Sequence, residues 1–314
     1  TGNNNYVFGY NALYCNVSGN QNIAIGTCSL LNNTGRNNIG IGYITMFNNT
    51  TGIDNIAIGD TSLNFNTTGS QNVALGNNSL RSNTTAGGNT ALGFSSLHKN
   101  TTGYNNTAVG RCTLCSNTTG FGNTAIGLRA MQNHISGVCN TAIGGETLKL
   151  ITTGSNNTAL GFYSLYSNNG LENAAVGVRS GACNTGGSYN AFLGMRAGEK
   201  VNASSNVAVG YNSYRGQWDD VNGVSLSTGI NNTALGSSSM YCNTTGSANV
   251  AVGSSALCSN TTGGRNVAIG NSAIRDNATG QCNVAIGVDA LKFGTDTFCV
   301  TAIGNNALSN NTVW

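Results

Sequence analysis

The fold of this chain is decided by a 17-residue unit, which residues 55–71 spell as NIAIGDTSLNFNTTGSQ and residues 72–88 repeat as NVALGNNSLRSNTTAGG. The glycine that ends the Ala-Ile-Gly triplet, here named the marker glycine, recurs 18 times along the chain. The intervals are 17 residues, except for three of 16 and one of 26. A fixed period with one insertion indicates a repeat architecture. The marker glycines are Gly9, Gly26, Gly42, Gly59, Gly76, Gly93, Gly110, Gly127, Gly144, Gly161, Gly177, Gly194, Gly210, Gly236, Gly253, Gly270, Gly287 and Gly304.

Each position, counted from the marker glycine, follows its own rule. Position −1 is large and apolar in every copy, position −2 is alanine in fifteen, and position −4 is asparagine in seventeen. Position +3 is always Ala, Ser or Thr, and position +4 is Leu, Met or Ile in fifteen copies. A polar turn such as Asn-Thr-Thr-Gly at residues 66–69 then follows.

A 17-residue unit cannot bury an apolar face alone but can do so when it is stacked on copies of itself. Helical repeats and propeller blades need longer units. We therefore predict an all-β, single-chain β-solenoid (a parallel β-roll) with about 18 coils of about 17 residues and two short strands per coil. At strand spacing these coils make a rod of roughly 85 Å. The array is predicted to span residues 1–314, with an inserted loop at 211–229.

Alternation along the strand separates two faces. Positions −3 and −1 share one face, and the alanine at −2 lies on the other. We expect the residue at −1 to form the core together with the leucine at +4. On this interpretation Ile126→Asp buries an unpaired charge and unfolds the neighbouring coils. The alanines are then expected to form a flat stripe on the surface, through which copies of the chain associate laterally.

The composition fits stacked coils. Charged residues make up 7% of the chain, there is no proline, and glycine (45) and asparagine (52) together account for about a third of it. Like charges stacked at strand spacing repel each other, whereas asparagine amides donate to one neighbour and accept from the next. The net charge of +3 is too weak for nucleic-acid binding, and no apolar run is long enough to insert into a membrane.

Ten cysteines and two histidines do not form a recognisable zinc site, and an even number of cysteines favours an oxidising, extracellular setting. Cys282 and Cys299 are 17 residues apart at position −5 of adjacent coils, so we predict a disulfide between them, with two stacked free thiols as the alternative. Cys242 and Cys258 are the second candidate pair. The remaining cysteines have no partner in the same column of a neighbouring coil: Cys15, Cys28, Cys112, Cys115, Cys139 and Cys183.

Many Asn-x-Ser/Thr sequons fall on the polar turn, where a glycan would point into solvent. We expect glycosylation at these sites if the source is a eukaryote or a virus of eukaryotes; otherwise the sequons reflect only the composition. The candidates are Asn16, Asn49, Asn66, Asn83, Asn100, Asn117, Asn202, Asn243, Asn260 and Asn277.

No catalytic constellation, metal site or cofactor motif stands out, so we expect neither an enzyme nor a cofactor. His98 and His134 are interpreted as exposed turn residues. Within the insertion, Trp218, Asp219 and Asp220 are weak candidates for binding a sugar or a cation; the alternative is a solvated loop with an aromatic anchor. Two coils replace the leucine at +4 by Gly181 and Gly198, and we expect Phe192, at a strand-alanine position, to fill the space they leave.

The Asn-x-Ala-Ile-Gly strand with a small residue three positions later resembles the head repeats of trimeric autotransporter adhesins and repeats of viral tail and surface fibres. Examples are residues 123–127 with Ala130 and residues 266–270 with Ala273. The resemblance implies left-handed β-rolls assembled as trimers with an adhesive or spacer role. The chain departs from those heads in its longer coil, its Asn-Thr-Thr-Gly turn and its ten cysteines.

The sequence therefore predicts a structural segment of an extracellular, cell-surface or virion-surface fibre. The expected partner is the chain itself, as a trimer or a head-to-tail filament, because the first and last coils are close to the consensus. An adhesive segment would also bind cell-surface glycans or a receptor. The alternative function is a ligand-binding solenoid that uses a flat, regular face for a glycan or for ice.

Overall fold

The computed structural model describes residues 2–219 and 224–310. It confirms the predicted class: the chain is an all-β parallel β-solenoid with one coil of about 17 residues per marker glycine. The chain divides into two compact units, Thr1–Asn156 and Asn157–Trp314. No helix is present among the described residues. The single array over residues 1–314 stays a prediction.

The first unit contains nine strands of three residues, one per coil. Consecutive strands are parallel and in register, so that Ile56, Ala57 and Ile58 lie opposite Val73, Ala74 and Leu75. Each residue is therefore stacked on its counterpart in the next coil. The strands are β1 (Tyr6–Phe8), β2 (Ile23–Ile25), β3 (Ile39–Ile41), β4 (Ile56–Ile58), β5 (Val73–Leu75), β6 (Thr90–Leu92), β7 (Thr107–Val109), β8 (Thr124–Ile126) and β9 (Thr141–Ile143).

The second unit contains nine coil strands, which pair in the same parallel manner, and a two-stranded hairpin within the insertion. Its strands are β10 (Thr158–Leu160), β11 (Ala174–Val176), β12 (Ala191–Leu193), β13 (Val207–Val209), β14 (Trp218–Asp219), β15 (Val224–Ser225), β16 (Thr233–Leu235), β17 (Val250–Val252), β18 (Val267–Ile269), β19 (Val284–Ile286) and β20 (Thr301–Ile303).

The second strand predicted around Ser-Leu is not found in the described coils. In the coil of Gly59, Thr61 has a φ of 54° and Leu63 a φ of 51°, and both values belong to the left-handed region rather than to a strand. The segment is a series of turns, although its backbone still bonds to the next coil, with Leu63 N–H donating to the Ser79 carbonyl at 3.0 Å. Position +4 shows such a φ in every coil. The strain costs about 1–2 kcal/mol per residue, and full burial of a leucine offsets it by about 1.5–3 kcal/mol.

The predicted core was only half correct. The leucine at +4 is buried as expected, but the strand turns its alanine inward and the residue at −1 outward: Ala125 is fully buried and Ile126 is 38% exposed. The interior is too narrow for a larger side chain here, because a Cβ added at Gly40, an alanine position, would lie 3.1 Å from Leu30 Cγ. The expected alanine stripe on the surface is therefore wrong, and so is the inward position of Ile126 on which the expected unfolding of Ile126→Asp depended.

Two columns of buried asparagines run along each unit. The first asparagine ladder occupies position −4, where Asn55 Nδ2 donates to Asn38 Oδ1 at 3.1 Å and to the Gly69 carbonyl at 2.9 Å. The second asparagine ladder occupies position +7, where Asn66 Nδ2 donates to Asn49 Oδ1 at 2.6 Å and to the same Gly69 carbonyl at 2.9 Å. These bonds confirm the predicted amide stacking and close each polar turn onto the strand.

The marker glycine is required where two coil backbones approach each other. Gly127 has a φ of 133°, which side chains rarely adopt, and a Cβ there would lie 2.5 Å from the carbonyl oxygen of Gly144 in the next coil. No rotamer can relieve a contact with backbone atoms. The recurrence of glycine at this position therefore follows from the spacing of the coils.

The coils that lack a leucine at +4 are filled as predicted. Phe192 replaces the strand alanine and is 2% exposed. A Cβ added at Gly181 would lie 2.8 Å from the Phe192 ring, and one added at Gly198 would lie 2.5 Å from it. One aromatic ring thus occupies the volume that two leucines fill elsewhere.

This packing predicts strong coupling between the three positions. Phe192→Ala is expected to lower the free energy of unfolding by about 3–5 kcal/mol, because it leaves a cavity. Gly198→Leu alone is expected to destabilise the coil because the new side chain overlaps the ring. The triple variant Phe192→Ala, Gly181→Leu, Gly198→Leu has the consensus residue at all three positions. It is expected to be more stable than Phe192→Ala alone or Gly198→Leu alone. Urea unfolding measures the free energy of unfolding of each variant. If the losses of the single variants simply added up in the triple variant, this packing would be contradicted.

The insertion leaves the stacking of coil strands intact, since β13 pairs directly with β16. Before the chain leaves the repeat, Tyr214 is fully buried at position +4, and its hydroxyl donates to the Gly229 carbonyl at 3.1 Å. Burial raises the pKa of this hydroxyl. The antiparallel hairpin of β14 and β15 follows, and the chain rejoins the coil at Ser227, which forms a parallel bridge with Val201.

His134 interrupts the second asparagine ladder and is fully buried, so its interpretation as an exposed turn residue was wrong. Its Nδ1 lies 2.9 Å from Asn117 Oδ1. Because an amide oxygen only accepts, Nδ1 carries the hydrogen of the neutral ring. The following member of the column is the apolar Ile151, and His134 Nε2 has no hydrogen-bond partner. Burial, which outweighs the nearby Gly137 carbonyl, lowers the pKa of His134 to about 4.

The pKa of His134 predicts acid destabilisation. Between pH 6.5, the ordinary pKa, and about pH 4, the unfolded state binds a proton that the folded state does not. Stability is therefore expected to fall as the pH falls through this window, by about 3 kcal/mol in total. His134→Asn restores both ladder bonds and removes this contribution. Urea unfolding of the two proteins at several pH values measures the difference, and parallel profiles would contradict the assignment.

Candidate functional site

Each unit presents a continuous outward surface, here named the apolar face, which consists of the first and third residues of its coil strands. Ile58 of β4 is 40% exposed, and Ile126 of β8 is similar. The intervening strand residue is buried in every coil except the first, where Val7 is exposed. None of the residues that form the face in the described strands of either unit is charged.

Position +1 widens the apolar face on the other side of the marker glycine. In the first unit Tyr43, Phe94 and Leu128 stand at this position and are each at least half exposed. In the second unit Phe162 and Met195 stand at this position and are 50% and 45% exposed. Several other coils carry polar residues there, so the widening is patchy, whereas the strand columns remain uncharged throughout.

A polar site of a different kind lies in the second unit and is here named the Glu199 pocket. It has a volume of about 290 Å³ and is lined by Tyr163, Tyr166, Ser167, Arg179, Ala182, Cys183 and Glu199. The nearly buried Glu199 carboxylate binds Arg215 Nε at 2.9 Å and Arg179 Nη1 at 3.5 Å. The Arg179 guanidinium also lies over the Tyr163 ring, 5.9 Å from its centroid.

The electrostatics of the Glu199 pocket combine one acid with an excess of cations. The hydrogen bond to Glu199 raises the pKa of Arg215. Burial, followed by the Glu199 charge, raises the pKa of the Cys183 thiol against the opposing effect of Lys200 and Arg179. The Arg179 side chain is 51% exposed, so part of its charge faces solvent beside the tyrosines.

Sequence reasoning missed the Glu199 pocket, although a signal was present. Glu199 and Arg215 carry opposite charges at position +5 of consecutive coils, and Arg179 stands at +2 of the coil before them. Aligning the repeats by column rather than scanning for linear motifs would have brought these three residues together.

The binding candidates in the insertion fall at the limit of the described structure. Trp218 and Asp219 form β14, where Trp218 pairs with Ser225 and Asp219 with Val224. Asp220 lies outside the described residues, as do the side chains of Trp218 and Asp219. Their binding of a sugar or a cation stays a prediction.

All ten cysteines are free thiols in the structure, so the disulfides stay predictions. The strand register of β19 with β20 places Cys282 and Cys299, both exposed, at equivalent positions of adjacent coils, as expected. The Cys242 amide donates to the Cys258 carbonyl at 2.9 Å, so this second pair is also adjacent across two coils.

The sequon asparagines are not where the turn pattern placed them. Eight lie fully buried in the second asparagine ladder, where a glycan on Nδ2 would replace a ladder donor and enter the core. The premise that these amides point into solvent is therefore wrong. Asn16 and Asn202 are half-buried, and glycosylation there stays a prediction. The eight are Asn49, Asn66, Asn83, Asn100, Asn117, Asn243, Asn260 and Asn277.

The described parts of the chain lack two further features, a metal-binding cluster and a membrane-spanning helix. No group of three or more His, Cys, Asp or Glu side chains is arranged to hold a metal ion there. A search of the same residues for a helix long and apolar enough to cross a membrane found none.

Comparison with known proteins adds no assignment to this geometry. No protein-family model matches the chain, and no curated protein shows significant similarity to it.

Proposed function

We propose that the chain is a non-enzymatic structural segment of an extracellular, cell-surface or virion-surface fibre, and that copies associate laterally through the apolar face. The observation that carries this proposal is the uncharged, half-exposed pair of strand columns in each unit. The resemblance to adhesin heads favours a homotrimer. Head-to-tail continuation of coils is the second mode of assembly that we propose.

The physical argument depends on the regularity of the apolar face. Isolated exposed leucines or isoleucines are ordinary, but soluble monomers rarely expose long contiguous apolar patches. Here the third strand residue is Ile, Val or Leu in every coil after the first, and the first strand residue is Ile, Val, Thr or Ala. This repetition in register allows two copies to pack ridge against ridge. The interior does not need these side chains, because the alanine and leucine columns already fill it.

Matched aspartate variants test the proposal. Ile58→Asp with Ile126→Asp is expected to leave the fold intact and convert an oligomer into monomers, because both positions are outward. Thr102→Asp, on the exposed polar turn, adds a charge elsewhere and is expected to preserve the oligomer. Ala125→Asp buries the same charge and is expected to unfold the coil, at a cost of several kcal/mol. Light scattering and circular dichroism report mass and fold.

The lateral proposal fails if the wild-type chain is monomeric at all accessible concentrations. It also fails if the variant with Ile58→Asp and Ile126→Asp has the same mass in solution as the wild-type chain and the Thr102→Asp variant. Unfolding of the double variant would instead contradict the outward orientation of Ile58 and Ile126.

The Glu199 pocket favours a second candidate function, binding of an acidic glycan. Tyr163 and Tyr166, whose ring centroids are 4.9 Å apart, offer aromatic surface, and the half-exposed Arg179 offers a donor for a carboxylate or sulfate. The threonine column on the turn does not favour ice binding, because it uses its hydroxyls internally: Thr67 Oγ1 donates to the Thr84 carbonyl at 3.0 Å. Threonine also stands at the outward first position of β6 to β9, so ice binding stays an alternative for that part of the face.

Titration with 3′-sialyllactose, with lactose as the neutral reference, tests the second candidate. Arg179→Gln is expected to weaken sialyllactose binding about tenfold, since a hydrogen bond to a charged group contributes about 1.5–3 kcal/mol. Arg265→Gln removes an exposed arginine elsewhere in the same unit and is expected to have no effect. Equal affinity for the two sugars, or equal binding by the two variants, would contradict an acidic-glycan site.

A further inference from the structure

Side chains at positions +2 and +5 of one coil meet on its outer surface. In the coil of Gly144, Lys149 Nζ lies 3.1 Å from Glu146 Oε2, and in the coil of Gly287, Lys292 Nζ lies 3.0 Å from Asp289 Oδ1. The coil of Gly161 brings the Tyr163 and Tyr166 rings together at these same two positions. Three unrelated residue pairs thus make this contact, so it does not depend on one kind of side chain.

Cys112 and Cys115 occupy these two positions in the coil of Gly110. They are also the only two of the ten cysteines that share one coil. Residues 111–116 form consecutive turns, and a turn brings residues three apart within about 7 Å between their Cα atoms, close to the range that a disulfide accepts.

The backbone holds both cysteines in place. The Cys112 amide donates to the Phe94 carbonyl at 3.0 Å, and the Cys115 carbonyl accepts from the Lys99 amide at 3.0 Å. Both thiols are partly exposed. A reagent can therefore reach them without opening the core, where Leu114 points inward between them.

The thiols also interact with each other. Burial raises the pKa of Cys115, and the neighbouring Cys112 raises it further through its charge and through a hydrogen bond between the side chains. The Cys115 thiolate is thus not stabilised, in contrast to the thiolates of strongly oxidising dithiols, whose reduced form is stabilised.

We propose that Cys112 and Cys115 are a modification site that forms a reversible disulfide within one coil, by exchange with a low-molecular-mass disulfide. The thiolate of one cysteine attacks a sulfur of the small disulfide and releases one small thiol. The thiolate of the second cysteine then attacks the mixed disulfide and releases the other small thiol. Two protein thiols are oxidised to one disulfide, and one small disulfide is reduced to two thiols.

We expect the disulfide to cross-link one coil locally. The link joins residues on either side of Leu114 and fixes the pair of left-handed residues, Cys112 and Leu114, that shapes this side of the coil. It differs in kind from the predicted Cys282–Cys299 bond, which would connect two coils. Strand pairing and the core are expected to be unchanged by it.

The test uses the full chain, reduced and then equilibrated with graded ratios of oxidised to reduced glutathione before alkylation and tryptic digestion. Cleavage after Arg111 and Arg129 places both thiols in one peptide, residues 112–129, and cleavage after Lys149 places Cys139 alone in residues 130–149. We expect peptide 112–129 to become two hydrogen atoms lighter at ratios where less than a tenth of Cys139 carries glutathione. Circular dichroism is expected not to change.

Two controls decide whether the folded coil sets the pairing. Cys112→Ser is expected to abolish the linked peptide and leave Cys115 with at most a glutathione adduct at the ratios that modify Cys139. The wild-type chain in urea is expected to require a more oxidising ratio than the folded chain. The proposal is overturned if Cys112 and Cys115 stay reduced, and are therefore alkylated, at ratios that modify Cys139. It is also overturned if each of the two carries its own glutathione at those ratios. It is also overturned if urea makes the link easier to form.

Discussion

The structure depends on one constraint: within each unit, the residues of the repeat are stacked on their counterparts in the next coil through parallel, in-register backbone hydrogen bonds. Such stacking multiplies the effect of each residue type, because a favourable side chain is repeated in a column and so is an unfavourable one. Asparagine is suited to this, since its amide donates in one direction and accepts in the other, as between Asn38 and Asn55. Like charges repel in the same arrangement, which accounts for a chain that is only 7% charged.

A second constraint is the width of the coil interior. The strand alanine faces the leucine at +4, and both are fully buried, so the larger strand residues must lie outside. The exception supports the rule, because Phe192 enters the interior only where Gly181 and Gly198 have vacated it. The apolar face is thus a by-product of a narrow core, and the core is complete without it. This is why lateral assembly can depend on residues that folding of the coil does not require.

Departures from the repeat mark the places where the chain does something other than stack. His134 stands in an amide column without a partner for Nε2, Glu199 brings two arginines to one carboxylate, and Cys112 shares a coil with Cys115. The first departure is expected to cost stability in acid, whereas the other two lie outside the alanine and leucine core, where a side chain can differ from its column without disturbing the backbone ladder.

The amino-acid sequence by itself determined the repeat, its period, the parallel solenoid class, the asparagine columns and the filling of space by Phe192, because each follows from periodicity or residue volume. It did not determine which strand face is inside, since alternation separates Ala125 from Ile126 without assigning either to the core. Nor did it reveal the left-handed leucines, because left-handed φ is expected of glycine and asparagine. Only the tertiary structure decided these points and buried the sequon asparagines. The physical reason is that a narrow coil admits alanine opposite leucine and closes its polar turn by bringing the asparagine at +7 inside.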